Sequence, residues 1–196
     1  MLKDILKDHH IILASGSPRR QQFLNDLDIT YEIRLKKVDE VYNPDLQHHE
    51  IPDYLAELKA KPYLEELEDH DILITSDTVV WHNNVALGKP KDYNQAFEMI
   101  QSLSGTSHEV ITSVCFTTKK SQKTVHAITT VSFKNLSSEE INYYIKTYEP
   151  FDKAGAYGIQ EWIGQIGITK IEGSYFNVVG LPLHLVYQTL KEIVAS

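Results

Sequence analysis

The sequence predicts an α/β fold, in a mixed α+β form, with a central mixed, twisted sheet flanked by helices. Short apolar runs alternate with helical patterns along most of the chain. Some of the predicted strands stand alone between helices and others adjoin across a short polar turn, a mixture typical of a mixed sheet. No internal repeat or low-complexity linker interrupts the 196 residues. We therefore expect a single domain over residues 1–196.

The first predicted elements alternate strand and helix. The apolar run 11–13 predicts a strand, and residues 18–27 predict a helix. Residues 31–35 predict a second strand. Apolar side chains then recur at helical spacing over residues 51–67, where Pro62 is expected to kink the helix.

The rest of the chain continues this alternation. A buried strand is expected at 72–75, and a hairpin turn at His82-Asn83-Asn84-Val85. Helical patterns cover residues 94–103 and 183–194. A further helical segment begins at Ser137-Ser138-Glu139-Glu140 and continues over 141–147. Residues 110–118 and 124–133 read as strands paired around a polar turn, and 150–158 as a loop rich in small residues.

Composition limits the classes of function. The net charge of −8 argues against non-specific binding of nucleic acid, for which a basic face is expected. The single cysteine, Cys115, lies in an apolar run and is expected in the core. Because the chain shows neither a signal-peptide pattern nor a membrane-length apolar run, we expect a cytoplasmic enzyme or binding protein without membrane contact.

The segment Ser15-Gly16-Ser17-Pro18-Arg19-Arg20 is the first candidate site. It joins a strand to a helix, with Ser17 suited to the N-cap and Pro18 to the first helical position. Free N–H groups at such a turn attract anions, and two arginines add donors that suit phosphate. The alternative is a capped helix with two solvated arginines.

Two carboxylates are candidates for metal or proton chemistry. Asp77 follows a buried apolar run and is expected at the end of a strand, where it could bind Mg²⁺ or accept a proton from water. Glu40 is a second candidate metal ligand, and Lys59, on the predicted helix after Ile51, is a further cation. Read individually, Asp77 could equally be a turn residue, and Glu40 and Lys59 solvated surface charges.

Two further loops carry candidate ligands. Lys89 lies between Gly88 and Pro90, in a segment that lacks the spacing of a P-loop. Lys153 begins a loop rich in glycine and alanine that ends at Gln160, whose amide could pair with the edge of a nucleobase. The alternatives are an exposed turn lysine and a tight structural loop. His108 could be structural or close to the site.

Several stretches together carry a family resemblance. They are Leu13–Arg20, Ser76–Val80, Leu87–Asp92, Leu103–Gly105, Asp152–Gln160 and Glu172–Pro182. In this order they resemble the Maf family of nucleoside triphosphate pyrophosphatases. The resemblance implies a fold similar to inosine triphosphatases, with a cleft between two lobes. It also implies a homodimer and hydrolysis of a nucleoside triphosphate to the monophosphate and pyrophosphate with a divalent metal, Mg²⁺ or Mn²⁺.

The resemblance assigns roles to individual residues. Asp77 matches the catalytic aspartate, and with Glu40 it would bind the metal. Arg19, Lys59 and Lys89 match residues of the phosphate site, to which the turn and loop read above add Ser15, Ser17 and Lys153.

The resemblance also bears on the substrate. Arg20, Thr78 and Gln160 match the branch acting on dTTP and UTP rather than the one acting on N7-methyl-GTP. Glu161-Trp162 departs from the glycine that usually follows the glutamine. Two rivals remain: a regulator of septum formation that binds nucleotide without hydrolysing it, and a phosphomonoesterase with Asp77 as nucleophile.

Overall fold

The structure, a computed structural model, describes residues 1–195. Within that range the α-helices are α1 Leu2–Ile5, α2 Pro18–Asp26, α3 Glu50–Ala60, α4 Tyr93–Leu103, α5 Ser138–Tyr148, α6 Trp162–Gly167, α7 Tyr175–Val179 and α8 Leu183–Ala195. The strands are β1 His10–Leu13, β2 Tyr31–Ile33, β3 Asp71–His82, β4 Val85–Leu87, β5 Ser107–Thr117, β6 Gln122–Phe133 and β7 Ile168–Glu172.

The strands form a mixed sheet, as predicted. Its order is β2-β1-β3-β5-β6-β7, and β4 pairs with β3 outside this path. Strand β1 runs parallel to both β2 and β3. The hairpin strand β4 is antiparallel to β3, and β7 is antiparallel to β6. The parallel pairs belong to strands separated by helices, and the β3–β4 pair to a tight turn, as the connection lengths require.

Residues 1–77 and 112–127, with the stretch that begins at Gly180, form one compact unit. Its core packs α3 against the sheet, where Ala56 and Ala60 meet Leu73 and Cys115. Cys115 is buried, as predicted, and burial raises the pKa of its thiol. The hydroxyl of Thr75 donates to the Ala56 carbonyl at 2.6 Å. Since side chains alternate along a strand, Leu73, Thr75 and Asp77 all face the side of β3 that α3 covers.

Residues 78–111 and 128–179 form the second unit. Its core contains α4, α5 and the loop that follows α5, with the side chain of Tyr144 fully buried among them. Both helices begin at capping side chains. Asp92 accepts from the Gln95 N–H at 2.9 Å, and Ser137 forms the capping box with Glu140 that its sequence predicts.

The helix predicted after Glu50 and the strand predicted before Asp77 differ most in extent from the prediction. The helix expected over 51–67 ends at Ala60 and continues as a 3₁₀ helix, Lys61–Glu66, because Pro62 lacks the N–H that an α-helix needs. The strand expected at 72–75 continues to His82. Asp77 therefore lies within β3 and not at its end. The β-branched run Thr78-Val79-Val80 favours this continuation.

The region after the small-residue loop contains elements that the sequence did not predict. The loop itself includes two 3₁₀ turns, Pro150–Asp152 and Ala154–Ala156. Helix α6, strand β7 and helix α7 follow within residues 162–179. Each is only five or six residues long, which is too short for a periodic pattern to be distinguished.

Candidate active site

Asp77 and Lys59 form a close, shielded ion pair in the first unit. Lys59 Nζ lies 2.5 Å from Asp77 Oδ1, and the two side chains are 19% and 10% exposed. Lys59 lies three residues after Ala56, on the face of α3 that packs against β3. Burial raises the pKa of Asp77 above that of an ordinary carboxyl, although the positive charges of Lys59 and Arg20 act in the opposite direction.

Glu40 is the second carboxylate at this position. It belongs to the loop between β2 and α3, and its Oε1 lies 3.3 Å from the Lys59 ammonium. Two carboxylates from distant parts of the unit thus converge on one cation. Residues 1–195 contain no group of three or more His, Cys, Asp or Glu side chains that could hold a metal. The pair nevertheless fits Mg²⁺ or Mn²⁺, since Mg²⁺ is usually held by one or two carboxylates with water and substrate phosphate.

The predicted anion turn is built differently from the simplest expectation. Pro18 opens α2 and Ser17 occupies the N-cap, as predicted, but the Ser17 side chain makes no capping hydrogen bond in the described chain. Instead the Ser17 N–H donates to Ser15 Oγ at 3.3 Å. Ser15 is buried, whereas Ser17 and Arg19 are partly exposed. The Ser15 side chain therefore orders the backbone of the turn.

Arg20 holds backbone carbonyls in place. Its Nε donates to the Gly180 carbonyl at 2.8 Å, and its Nη1 donates to the Ser76 carbonyl at 2.9 Å. Burial lowers the pKa of the Arg20 guanidinium, and the negative charge of Asp77 opposes that shift. Two of the Arg20 donors, Nε and Nη1, are thus engaged by backbone carbonyls, and the expected role of Arg20 in substrate selection stays a prediction. The bond to the Ser76 carbonyl ties Arg20 to the strand segment directly before Asp77.

The second unit holds the other predicted ligands. Lys89 and Gln160 are exposed, Thr78 is half-buried, and Lys153 is mostly buried. The Gly155 N–H donates to the Gly88 carbonyl at 3.1 Å, which joins the loop of Lys153 to the segment of Lys89. Gly155 has φ +68°, and a Cβ there would lie 2.9 Å from Val80, so this close approach requires glycine.

Two residues beside this loop were not predicted as parts of a site. Glu161 lies 3.1 Å from the Lys153 ammonium and accepts a hydrogen bond from the Tyr144 hydroxyl. Burial, together with Glu161, raises the pKa of Tyr144. Tyr144 gave no sequence signal beyond its place on a helix. Glu161 did give one, as the departure from the family pattern directly after Gln160.

His108, whose role the sequence left open, is a core residue of the second unit. It is 3% exposed, stacks on Phe133, and its Nε2 lies 2.7 Å from the Tyr157 hydroxyl. Burial lowers the pKa of His108 to about 3, with a smaller effect of the charge on His82. It is therefore neutral near pH 7 and packs as an aromatic side chain.

Comparison with known proteins identifies the family of this site. A family model described as Maf-like protein matches residues 10–193. The chain belongs to the Maf family. Maf relatives include proteins named dTTP/UTP pyrophosphatase from Flavobacterium johnsoniae, 59% identical over 99% of this chain and 100% of the relative, and from Christiangramia forsetii, 58% identical over 100% of both. A relative of the same name from Bacteroides fragilis is 49% identical over 96% of this chain and 98% of its own.

A solved structure supports the fold that the Maf resemblance implies. The Staphylococcus aureus Ham1 protein matches with a TM-score of 0.51 at 14% identity, covering 94% of this chain and 99% of that protein. At this identity the match concerns the fold alone. No helix within residues 1–195 has the length and apolar character needed to cross a membrane.

Proposed function

We propose that this Maf-family protein hydrolyses dTTP and UTP to the nucleoside monophosphate and pyrophosphate. The observation that carries the proposal is the convergence of Asp77 and Glu40 on Lys59, with Asp77 shielded from solvent. Such a group combines a proton acceptor with oxygen ligands for a cation, as phosphate chemistry requires. Relatives 46–59% identical over nearly their whole length bear the name of this activity, which supports the substrate.

In the proposed reaction Asp77 orients a water molecule towards the α-phosphorus and accepts its proton. The water oxygen forms a bond to phosphorus while the bond to the oxygen bridging the α- and β-phosphates breaks, and pyrophosphate leaves with that oxygen. Lys59 holds the Asp77 carboxylate at 2.5 Å, which fixes its direction. Since burial raises the pKa of Asp77, the carboxylate is a stronger base than one in water.

The remaining cations would stabilise the charge of the triphosphate. We assign this role to Arg19, Lys89 and Lys153, together with the N–H groups of the turn that Ser15 orders. A divalent metal bound by Glu40 and Asp77 would supply Lewis-acid neutralisation of phosphate charge. Both side chains offer hard oxygen donors, which suit Mg²⁺ or Mn²⁺.

Gln160 is proposed to select the base. Its side chain is exposed at the end of the Lys153 loop. An amide offers one acceptor and two donors, and so it can pair with the N3–H and O4 groups that uracil and thymine share. Cytosine presents a donor in place of O4. Burying the C5-methyl group of thymine contributes only about 1 kcal/mol to the free energy of binding, which is consistent with a site that accepts both dTTP and UTP.

Product analysis tests the proposal. With Mg²⁺ and a panel of dTTP, UTP, CTP and N7-methyl-GTP, we expect pyrophosphate as the product and turnover of dTTP and UTP above the others. Inorganic phosphate would indicate the phosphomonoesterase, and binding without turnover would indicate the regulator. Faster turnover of N7-methyl-GTP would overturn the substrate assignment.

Substitution of Asp77 tests its role. We expect Asp77→Asn to reduce kcat by about 10²- to 10⁴-fold, because the amide cannot accept the proton. The matched control is Asp26→Asn, an exposed aspartate that accepts from Gln22 on its own helix. Turnover of a folded Asp77→Asn protein within tenfold of this control would remove Asp77 from the reaction.

A further inference from the structure

Glu161 lies between two groups of the second unit that belong to different elements. Its Oε2 accepts from the hydroxyl of Tyr144 on α5, and its Oε1 lies 3.1 Å from the ammonium of Lys153. Tyr144 is fully buried, and the side chains of Lys153 and Glu161 are only 10% and 19% exposed. Both carboxylate oxygens are thus engaged in a largely shielded place, where charge-assisted hydrogen bonds are strong.

Gly158 lies inside this arrangement. Its N–H donates to the Tyr144 hydroxyl at 3.0 Å, and its carbonyl accepts from the Glu161 N–H at 3.0 Å. A Cβ at Gly158 would lie 2.8 Å from Glu161 Cδ and 3.1 Å from Lys153 Cε. Gly158 is therefore packed against the side chains of Glu161 and Lys153, the two ends of this loop. Gln160 is exposed near the C-terminal end of the loop.

Lys153 has two carboxylate partners of different character. Asp152 Oδ1 lies 2.7 Å from the ammonium, but the Asp152 side chain is 59% exposed. An ion pair with so exposed a carboxylate contributes little and is readily exchanged for another anion. Glu161, in contrast, is shielded and tied to Tyr144. Glu161 is thus the partner that Lys153 can keep when a phosphate replaces Asp152.

Building on the proposed function, we propose that Glu161 is a positioning residue for this reaction. It holds the Lys153 ammonium where a phosphate of the substrate is to bind. Through Tyr144 and Gly158 it also fixes the loop that presents Gln160 to the base. One carboxylate thereby couples the placement of a phosphate-binding cation to the placement of the base-reading amide.

The main test is Glu161→Gln, which keeps the shape and an acceptor for Tyr144 but removes the charge that faces Lys153. We expect the KM for UTP to rise about tenfold, the effect of weakening one charge-assisted contact, while kcat changes less than threefold. Glu161→Asp keeps the charge and should recover part of the loss. The matched control is Glu172→Gln, since Glu172 pairs with Lys170 at 2.9 Å on the surface, both side chains being 61% exposed.

A second variant tests the connection to the base. Tyr144→Phe removes the donor to Glu161 and the acceptor for the Gly158 N–H. We expect faster hydrogen exchange of the Gly158 amide and a smaller ratio of kcat/KM for UTP over CTP. Glu161 would have only a structural role if the KM and kcat of Glu161→Gln were within twofold of those of Glu172→Gln. A lower melting temperature of Glu161→Gln would not change that conclusion.

The same variants separate this inference from the proposed function. If the unsubstituted protein releases no pyrophosphate from UTP, the proposed function fails. Hydrogen exchange of the 153–161 loop still tests the arrangement in that case, because it needs no turnover. An unchanged Gly158 exchange rate in Tyr144→Phe would show that Tyr144 does not hold the loop and would overturn the inference.

Discussion

Asp77 and His108 show how burial acts in opposite directions on an acid and a base. Burial raises the pKa of the carboxyl and lowers that of the imidazole, because the charged form of each is disfavoured away from water. Asp77 has Lys59 and Arg20 nearby to stabilise its charge. His108 faces the Tyr157 hydroxyl and the ring of Phe133, and its Nδ1 has no partner within residues 1–195. The surroundings of Asp77 thus include positive charges that compensate its burial, whereas His108 is packed as a neutral ring.

We expect His108 to make the protein sensitive to acid. Between its unfolded pKa of about 6.5 and its folded pKa of about 3, the unfolded chain binds one more proton at this residue. Its contribution to the free energy of unfolding therefore falls as pH decreases, by at most about 1.4 kcal/mol per pH unit. Urea unfolding at pH 7, 6, 5 and 4 should show a shallower decrease for His108→Asn than for His184→Asn, an exposed control. Equal slopes would contradict the assignment.

Helix starts are the elements that the sequence predicts most reliably here. Ser137 to Glu140 were expected to begin a helix, and the structure shows a capping box at that position. The signal is local, because the side chains bond N–H groups within three residues. The length of β3 and the end of α3 were predicted less well. Burial of Ser76 and Asp77 within the sheet extends β3, and a single proline changes the type of helix after Ala60.

The cap of α5 can be tested separately from the site. Ser137→Ala removes the acceptor for the Glu140 N–H, and we expect a loss of about 1 kcal/mol in the free energy of unfolding. Ser138→Ala, at the next and exposed position, is the control and should change stability by less than about 0.5 kcal/mol. Urea denaturation measures both. Similar losses in the two variants would mean that the cap contributes no more than any serine at a helix start.

On the scale of the whole molecule, the charge balance and the proposed ligand have the same sign. The chain carries a net charge of −8. An anionic triphosphate must therefore be attracted by the local arrangement of cations and not by the total charge. The cations proposed for this role, Arg19, Lys89 and Lys153, lie in the first turn of α2, in the segment before α4 and in the loop after α5.

Nucleotide binding should stabilise the whole protein. With the α,β-imido analogue of UTP, which resists hydrolysis at the proposed bond, at about 100 times its Kd, binding adds about 2.7 kcal/mol to the free energy of unfolding. For a chain of this size we expect the melting temperature to rise by roughly 5–10 °C. Calorimetry with Mg²⁺ measures this shift, and Gln160→Ala should reduce it. An equal shift with the cytidine analogue would contradict base reading by Gln160.

The sequence by itself determined the alternation of strands and helices, the capped start of α5, the strand-to-helix turn at 15–20 and the residue types available for phosphate chemistry. These features depend on neighbours a few positions apart, so a single sequence reveals them. Only the tertiary structure decided that Lys59 joins Asp77 and Glu40, that Arg20 bonds a carbonyl 160 positions away, and that Glu161 joins Tyr144 to Lys153. Such contacts depend on how the elements pack, which no short stretch of sequence encodes.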